Sequence, residues 1–162
     1  MTTTATKAQS GITQSALQKK WGATIMAAGF TAVPDVLLRR MGALGLKPME
    51  MIVLLQILTY WWEADHKPYP SKKAIASAIG CGEKAVQKII TRLEKLGFIK
   101  RIERPRTADR NQTNIYDFTP LIELLQPHAQ EETAKIEQAR QAKEEKIARM
   151  RRRGRPVLER VK

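Results

Sequence analysis

The sequence predicts a mainly α-helical chain with one small β-hairpin and a long polar helix towards its end. Three observations predict it. Between Ser71 and Leu96, two amphipathic runs flank the tight turn Gly80-Cys81-Gly82. Two short alternating runs follow, one on each side of a basic loop at 104–112. From Gln130 to Met150 the chain is built largely of Glu, Ala, Lys, Gln and Arg, all good helix formers. Helix, turn, helix, strand, basic tip, strand is the order of a winged helix-turn-helix.

The elements follow along the chain. Residues 1–13 are small and polar and are expected to be disordered. Gln14 to Ala28 suits a short helix with Ser15 as its cap, broken by Gly29-Phe30. The residue before Pro34 is pushed to extended backbone, so Asp35 can cap a helix from Val36 to Met41, ended by Gly42 and Gly45. Pro48 suits the first turn of a helix reaching to about Ala64. That helix is apolar on nearly every side, so more than one face is expected to be covered. One face can pack on the helix-turn-helix, the other on residues 14–41 or on a second copy. Met51, Leu54, Leu58, Trp61 and Trp62 are the anchors expected at such a dimer or partner interface. Lys67-Pro68-Tyr69-Pro70 is a stiff linker. Thr119-Pro120 starts a short helix, Leu121 to Leu125, which Pro127 is expected to close. The charged helix beyond it shows no sustained heptad, so no coiled coil is expected. The expected organisation is a domain at 14–127, with a helical front at 14–65 and a reading unit at 71–118. A charged helix at 128–150 and a basic tail at 151–162 complete it.

The 162 residues carry a net charge of +13, and that charge is segregated. Residues 31–70 hold four acids and four bases, whereas 71–118 hold eleven bases and five acids. Residues 131–149 balance five against five, and 151–162 hold six bases and one acid. Two basic centres with a neutral spacer between them point to an anionic polymer rather than to general solubility.

The second amphipathic run, Glu83 to Leu96, carries Ala85, Val86, Ile89, Ile90, Leu93 and Leu96 at three- and four-residue spacing, a core stripe. Its other face carries Lys84, Gln87, Lys88, Thr91 and Arg92. In a major groove, lysine donates to guanine, glutamine pairs with adenine and a threonine methyl touches thymine. Lys84, Gln87, Lys88 and Thr91 are therefore the candidate base readers, with Thr91 and Arg92 nearer the backbone. Ser71, Lys72 and Lys73 open the preceding helix and can grip a phosphate. The loop's Arg104, Arg106, Arg110, Asn111 and Gln112 form a tip suited to phosphate or minor groove. The tail, Arg151-Arg152-Arg153-Gly154-Arg155-Pro156, looks like an AT-hook, in which Arg-Gly-Arg-Pro lies along a narrow A·T minor groove. The proline usual before the first core arginine is missing.

Taken together, Val33–Leu38, Tyr69–Ala76, Lys84–Lys88, Leu93-Glu94-Lys95-Leu96-Gly97-Phe98-Ile99 and Thr113–Tyr116 resemble bacterial winged helix-turn-helix proteins of plasmids, phages and integrative elements. Similar wings occur in MarR- and GntR-type regulators and in plasmid replication initiators. The resemblance spans roughly residues 30–125 and implies the fold and DNA binding more than a biological role. Gly82 and Glu83 depart from it, standing where such proteins often have a serine cap and a further polar residue.

No catalytic constellation is visible. His66 and His128 are isolated, and the single cysteine, Cys81, lies in a turn. Neither enzyme activity nor a metal or other cofactor is expected. The start Met1-Thr-Thr-Thr-Ala-Thr has no leader pattern, and the apolar run Met49–Trp62 is too short to span a bilayer, so a cytoplasmic, nucleoid-associated place with no membrane contact is expected. The expected partner is double-stranded DNA, bound by a homodimer acting as a sequence-specific transcriptional regulator. The alternative is a replication or partition factor that binds origin DNA and recruits a protein partner through its apolar N-terminal half.

Overall fold

The computed structural model describes residues 14–104 and 113–152. The chain divides into two compact units, residues 1–33 and 34–162.

In the first unit, α1 (Gln14–Trp21) and α2 (Ala23–Ala27) replace the single helix expected from Gln14 to Ala28. The cause is Gly22, whose φ of +86° a helix cannot absorb. Lys20 lies over the Trp21 ring, 5.3 Å from its centroid.

The second unit opens with α3 (Asp35–Arg39). Asp35 was expected as its cap. Instead Pro34 holds the cap position, and Asp35 starts the helix and meets Arg39 one turn on at 3.2 Å. Leu37 points into the core. Turns through Gly45 lead to α4 (Pro48–Leu58). It is shorter than expected. The Thr59 hydroxyl donates back to the Gln56 carbonyl at 2.8 Å, and the chain leaves the helix through turn bonds from Tyr60 and Trp61. Trp61 and Trp62 thus lie beyond the helix.

α4 packs against α5 (Lys72–Ile79) and α6 (Glu83–Lys95), which also pack on each other. Ser71 caps α5, its hydroxyl accepting from the Ala74 N–H at 3.0 Å. Gly80, with φ +69° and ψ 36°, ends α5 in the left-handed conformation and turns the chain into α6. α6 buries Val86, Ile90 and Leu93 against α4 and α5. Ala85 and Leu96, expected in its core stripe, are exposed, and Ile89 is half-buried. The contact stripe is narrower than the apolar spacing and is the part of α6 that packs on α4 and α5.

Phe98 and Ile99 are buried and lead into β1 (Lys100–Ile102), which pairs antiparallel with β2 (Ile115–Asp117). Arg101 stands opposite Tyr116. The linker lies along β2: the Tyr116 N–H donates to the Pro68 carbonyl at 2.8 Å, and the Thr113 hydroxyl to the Tyr69 carbonyl at 2.8 Å. Two prolines leave this edge few donors, so it adds contacts without becoming a strand. The Trp61 ring stacks on Phe118 with centroids 5.3 Å apart.

The largest departure follows Phe118. Pro127 was expected to end a short helix, yet α7 (Thr119–Arg152) runs 34 residues through it. The proline forfeits one backbone bond, but both flanks favour helix. Leu121 and Leu125 bury the helix start. Past the proline, Arg40 pairs with Glu132 at 3.0 Å and Glu131 at 3.3 Å. The helix is therefore anchored on both sides of its weak point. An open apolar cavity of about 650 Å³ lies between Pro34 and Val36 on one side and Ile122, Leu125 and Ala129 of α7 on the other.

Candidate nucleic-acid interface

The candidate surface starts from the angle between α5 and α6. The Gly80 turn brings the first residue of α5 beside the middle of α6. Lys72 Nζ donates to Gln87 Oε1 at 2.6 Å, and Gln87 Nε2 donates to Thr91 Oγ1 at 3.3 Å. Lys73, Lys84 and Lys88 are exposed, while Gln87 and Thr91 are half-buried. The structure thus brings Lys72, Gln87 and Thr91 into one hydrogen-bonded row, and Lys84 and Lys88 stand exposed on the same helix. Gly82 caps α6 without a side-chain bond.

Arg92 is placed differently from the simple solvent-facing cation its spacing suggests. Its Nε lies 2.5 Å from Glu50 Oε1. Glu50 is 3% exposed, and its other oxygen accepts the Lys47 N–H at 2.9 Å. Sequence reasoning missed Glu50. The signal was there: a Glu three residues after the cap and just past Pro48 is the acidic half of a capping box.

The hairpin is braced to α6. Arg101 donates its backbone N–H to Glu94 Oε1 at 3.1 Å and its Nε to Glu94 Oε2 at 2.7 Å. This contact holds the Glu94 carboxyl below the usual carboxylate range, against the opposing effect of burial. Burial raises the Tyr116 hydroxyl above its ordinary value, with nearby Arg101 acting the other way. At the far strand, burial opposes the charge of Asp117, but Lys67 at 2.7 Å and the N–H and hydroxyl of Thr119 outweigh it and hold Asp117 at about 2. Arg104, at the hairpin base, lies over the Tyr69 ring at 4.5 Å. Arg106, Arg110, Asn111 and Gln112 lie outside the described residues, as do Arg153, Gly154, Arg155 and Pro156 of the tail. Arg151 and Arg152 are exposed in the last turn of α7.

The expected partner interface on α4 needs correction. Met51, Leu54 and Leu58 are buried in the core of this chain. The face of α4 that carries them packs on α5 and α6, whereas Met49 and Ile52 of the same helix stay exposed. Trp61 is half-buried against Phe118, whereas Trp62 is 71% exposed. Among the described residues no cluster of His, Cys, Asp or Glu could hold a metal, and no helix is long and apolar enough to cross a membrane.

Residues 44–99 match the family model of a helix-turn-helix domain. No curated protein matches the chain. Among solved structures, the chain is similar to the N-terminal domain of the DnaD protein from Geobacillus kaustophilus, at 25% identity and a TM-score of 0.50, covering 74% of this chain and 96% of that one. MarR shares 18% identity at a TM-score of 0.37, covering 85% of this chain and 96% of that one. A MarR-family transcriptional regulator from Rhodococcus sp. RHA1 shares 14% identity at a TM-score of 0.36, covering 87% and 93%. The helix-turn-helix match at residues 44–99, with the antiparallel hairpin that follows, gives this part of the chain a winged helix-turn-helix fold.

Proposed function

We propose that this chain is a sequence-specific, double-stranded DNA-binding transcriptional regulator. The observation that carries the reading is the row Lys72–Gln87–Thr91, flanked by exposed Lys84 and Lys88 on one outward face of α6. A helix about 10–12 Å across fits a major groove of similar width, and these residue types suit base edges there. Lys84, Gln87, Lys88 and Thr91 read bases. Ser71, Lys72, Lys73 and Arg92 meet the backbone. Arg104 and the loop to Gln112 reach adjacent phosphate or minor groove. The tail at 151–156 adds an AT-hook-like grip tethered by α7, which raises its effective concentration at the duplex. Two copies on a palindrome complete the reading. Selection of bound duplexes from a random pool tests it: one enriched motif, inverted about one helical turn apart, is expected. Enrichment of no motif at all sinks it.

A second reading, a replication or partition factor, draws support from the likeness to the DnaD N-terminal domain. Genome-wide occupancy separates the two. Peaks at promoters support the regulator, and direct or iterated sites at an origin support the second reading.

A further inference from the structure

Glu50 is the buried charged side chain of the described core, 3% exposed. Its two oxygens are divided between two tasks. One accepts the Lys47 N–H and closes the first turn of α4, and the other lies 2.5 Å from Arg92 Nε. A carboxylate in such a place needs a partner for its charge. The Arg92 side chain, by contrast, stays 48% exposed. The ion pair with Glu50 fixes one side of the guanidinium, while about half of the Arg92 side chain stays open to solvent. An arginine fixed by a buried carboxylate and still half exposed is pre-organised for a phosphate, because its long side chain need not be ordered again on binding. It stands next to Thr91 on the outward-facing helix.

We propose that Glu50 is a positioning residue for DNA binding, holding Arg92 as a phosphate clamp on α6. The proposal rests on the reading of α6 as the DNA-facing helix. It also makes a counterintuitive demand. Glu50 adds negative charge near a polyanion, so by charge alone its removal should tighten binding. A positioning role requires the opposite.

The test measures duplex affinity and its salt dependence for the full chain, on the duplex the wild type selects and on one unrelated duplex. Arg92→Ala is expected to weaken both about equally and to lower the slope of log affinity on log salt by about 0.9. Glu50→Gln keeps an acceptor for the Lys47 N–H. It is expected to weaken binding about threefold to tenfold, and to add nothing in an Arg92→Ala background. Arg92→Lys is expected to bind like Arg92→Ala, since an ammonium taken by Glu50 leaves no fork for phosphate. Unchanged or tighter binding by a cooperatively unfolding Glu50→Gln overturns the proposal. Wild-type binding by Arg92→Lys overturns it too, and that measurement stands even if Glu50→Gln does not fold. Failure of the wild type to bind any duplex would instead remove the DNA reading itself.

Discussion

Lys72 Nζ lies 2.6 Å from Gln87 Oε1, so the first residue of α5 touches the outward face of α6. A cation suited to phosphate and an amide suited to a base edge thus share one contact. An exposed bond of this kind is worth about 0.5–1.5 kcal/mol, small enough for a duplex to exchange it for its own contacts.

The two residues should fail differently. Gln87→Ala is expected to relax preference at one base pair, losing about 1–3 kcal/mol of discrimination there. Lys72→Ala should weaken all duplexes alike, with a salt slope shallower by about one. Binding matrices from randomised duplexes make the comparison. Matching matrices for wild type and Gln87→Ala would deny Gln87 a reading role.

Asp117 predicts how stability responds to acid. Its carboxyl is held at about 2 against an ordinary 3.8. A depressed folded value means the stabilisation is complete above the unfolded value and disappears as pH falls through the folded one. The window is therefore about pH 4 down to 2. The shift corresponds to about 1–2 kcal/mol after discounting the exposed Lys67 partner for screening. Denaturant midpoints of wild type and Asp117→Asn across that range should converge towards its lower end. A constant gap between them would show that the ion pair is not the cause.

Gly80→Ala tests the turn that sets the α5–α6 angle. A Cβ at Gly80 meets nothing within 4 Å, yet φ is +69°. The cost is then purely backbone, about 1 kcal/mol. Thermal unfolding should show a modest drop in midpoint with an unchanged circular dichroism spectrum. A loss well beyond this would mean that the turn has no freedom to relax.

Deleting residues 151–162 should lower affinity most on duplexes with A·T-rich flanks, where narrow minor grooves attract arginine. An equal loss on G·C-rich flanks would reduce the tail to plain charge attraction.

Much of the reading unit was legible from local chemistry. Ser71 at the opening of α5, the tight turn Gly80-Cys81-Gly82 and the apolar spacing of Val86, Ile90 and Leu93 are encoded within a turn or two of chain. All three stand where expected. Elements decided by distant contacts were not legible. Pro127 marks a helix end by its own covalent structure. It lies inside α7 because Leu121 and Leu125 on one side, and Arg40 with Glu131 and Glu132 on the other, hold both flanks. Likewise Arg92 reads from its spacing as a free cation, whereas its place is set by Glu50, 42 positions earlier in the chain.

By itself, then, the sequence determined the order of elements, the segregation of positive charge and the types of side chain offered on α6. These depend on propensity, periodicity and composition, which act locally. Only the tertiary structure decided which apolar side chains of α4 are spent on this chain's own core. It also decided that Lys72 meets Gln87, that Arg101 braces the hairpin on Glu94, and that one buried carboxylate governs Arg92. Those pairings depend on the angles at which helices pack, and no stretch of sequence a few residues long carries that information.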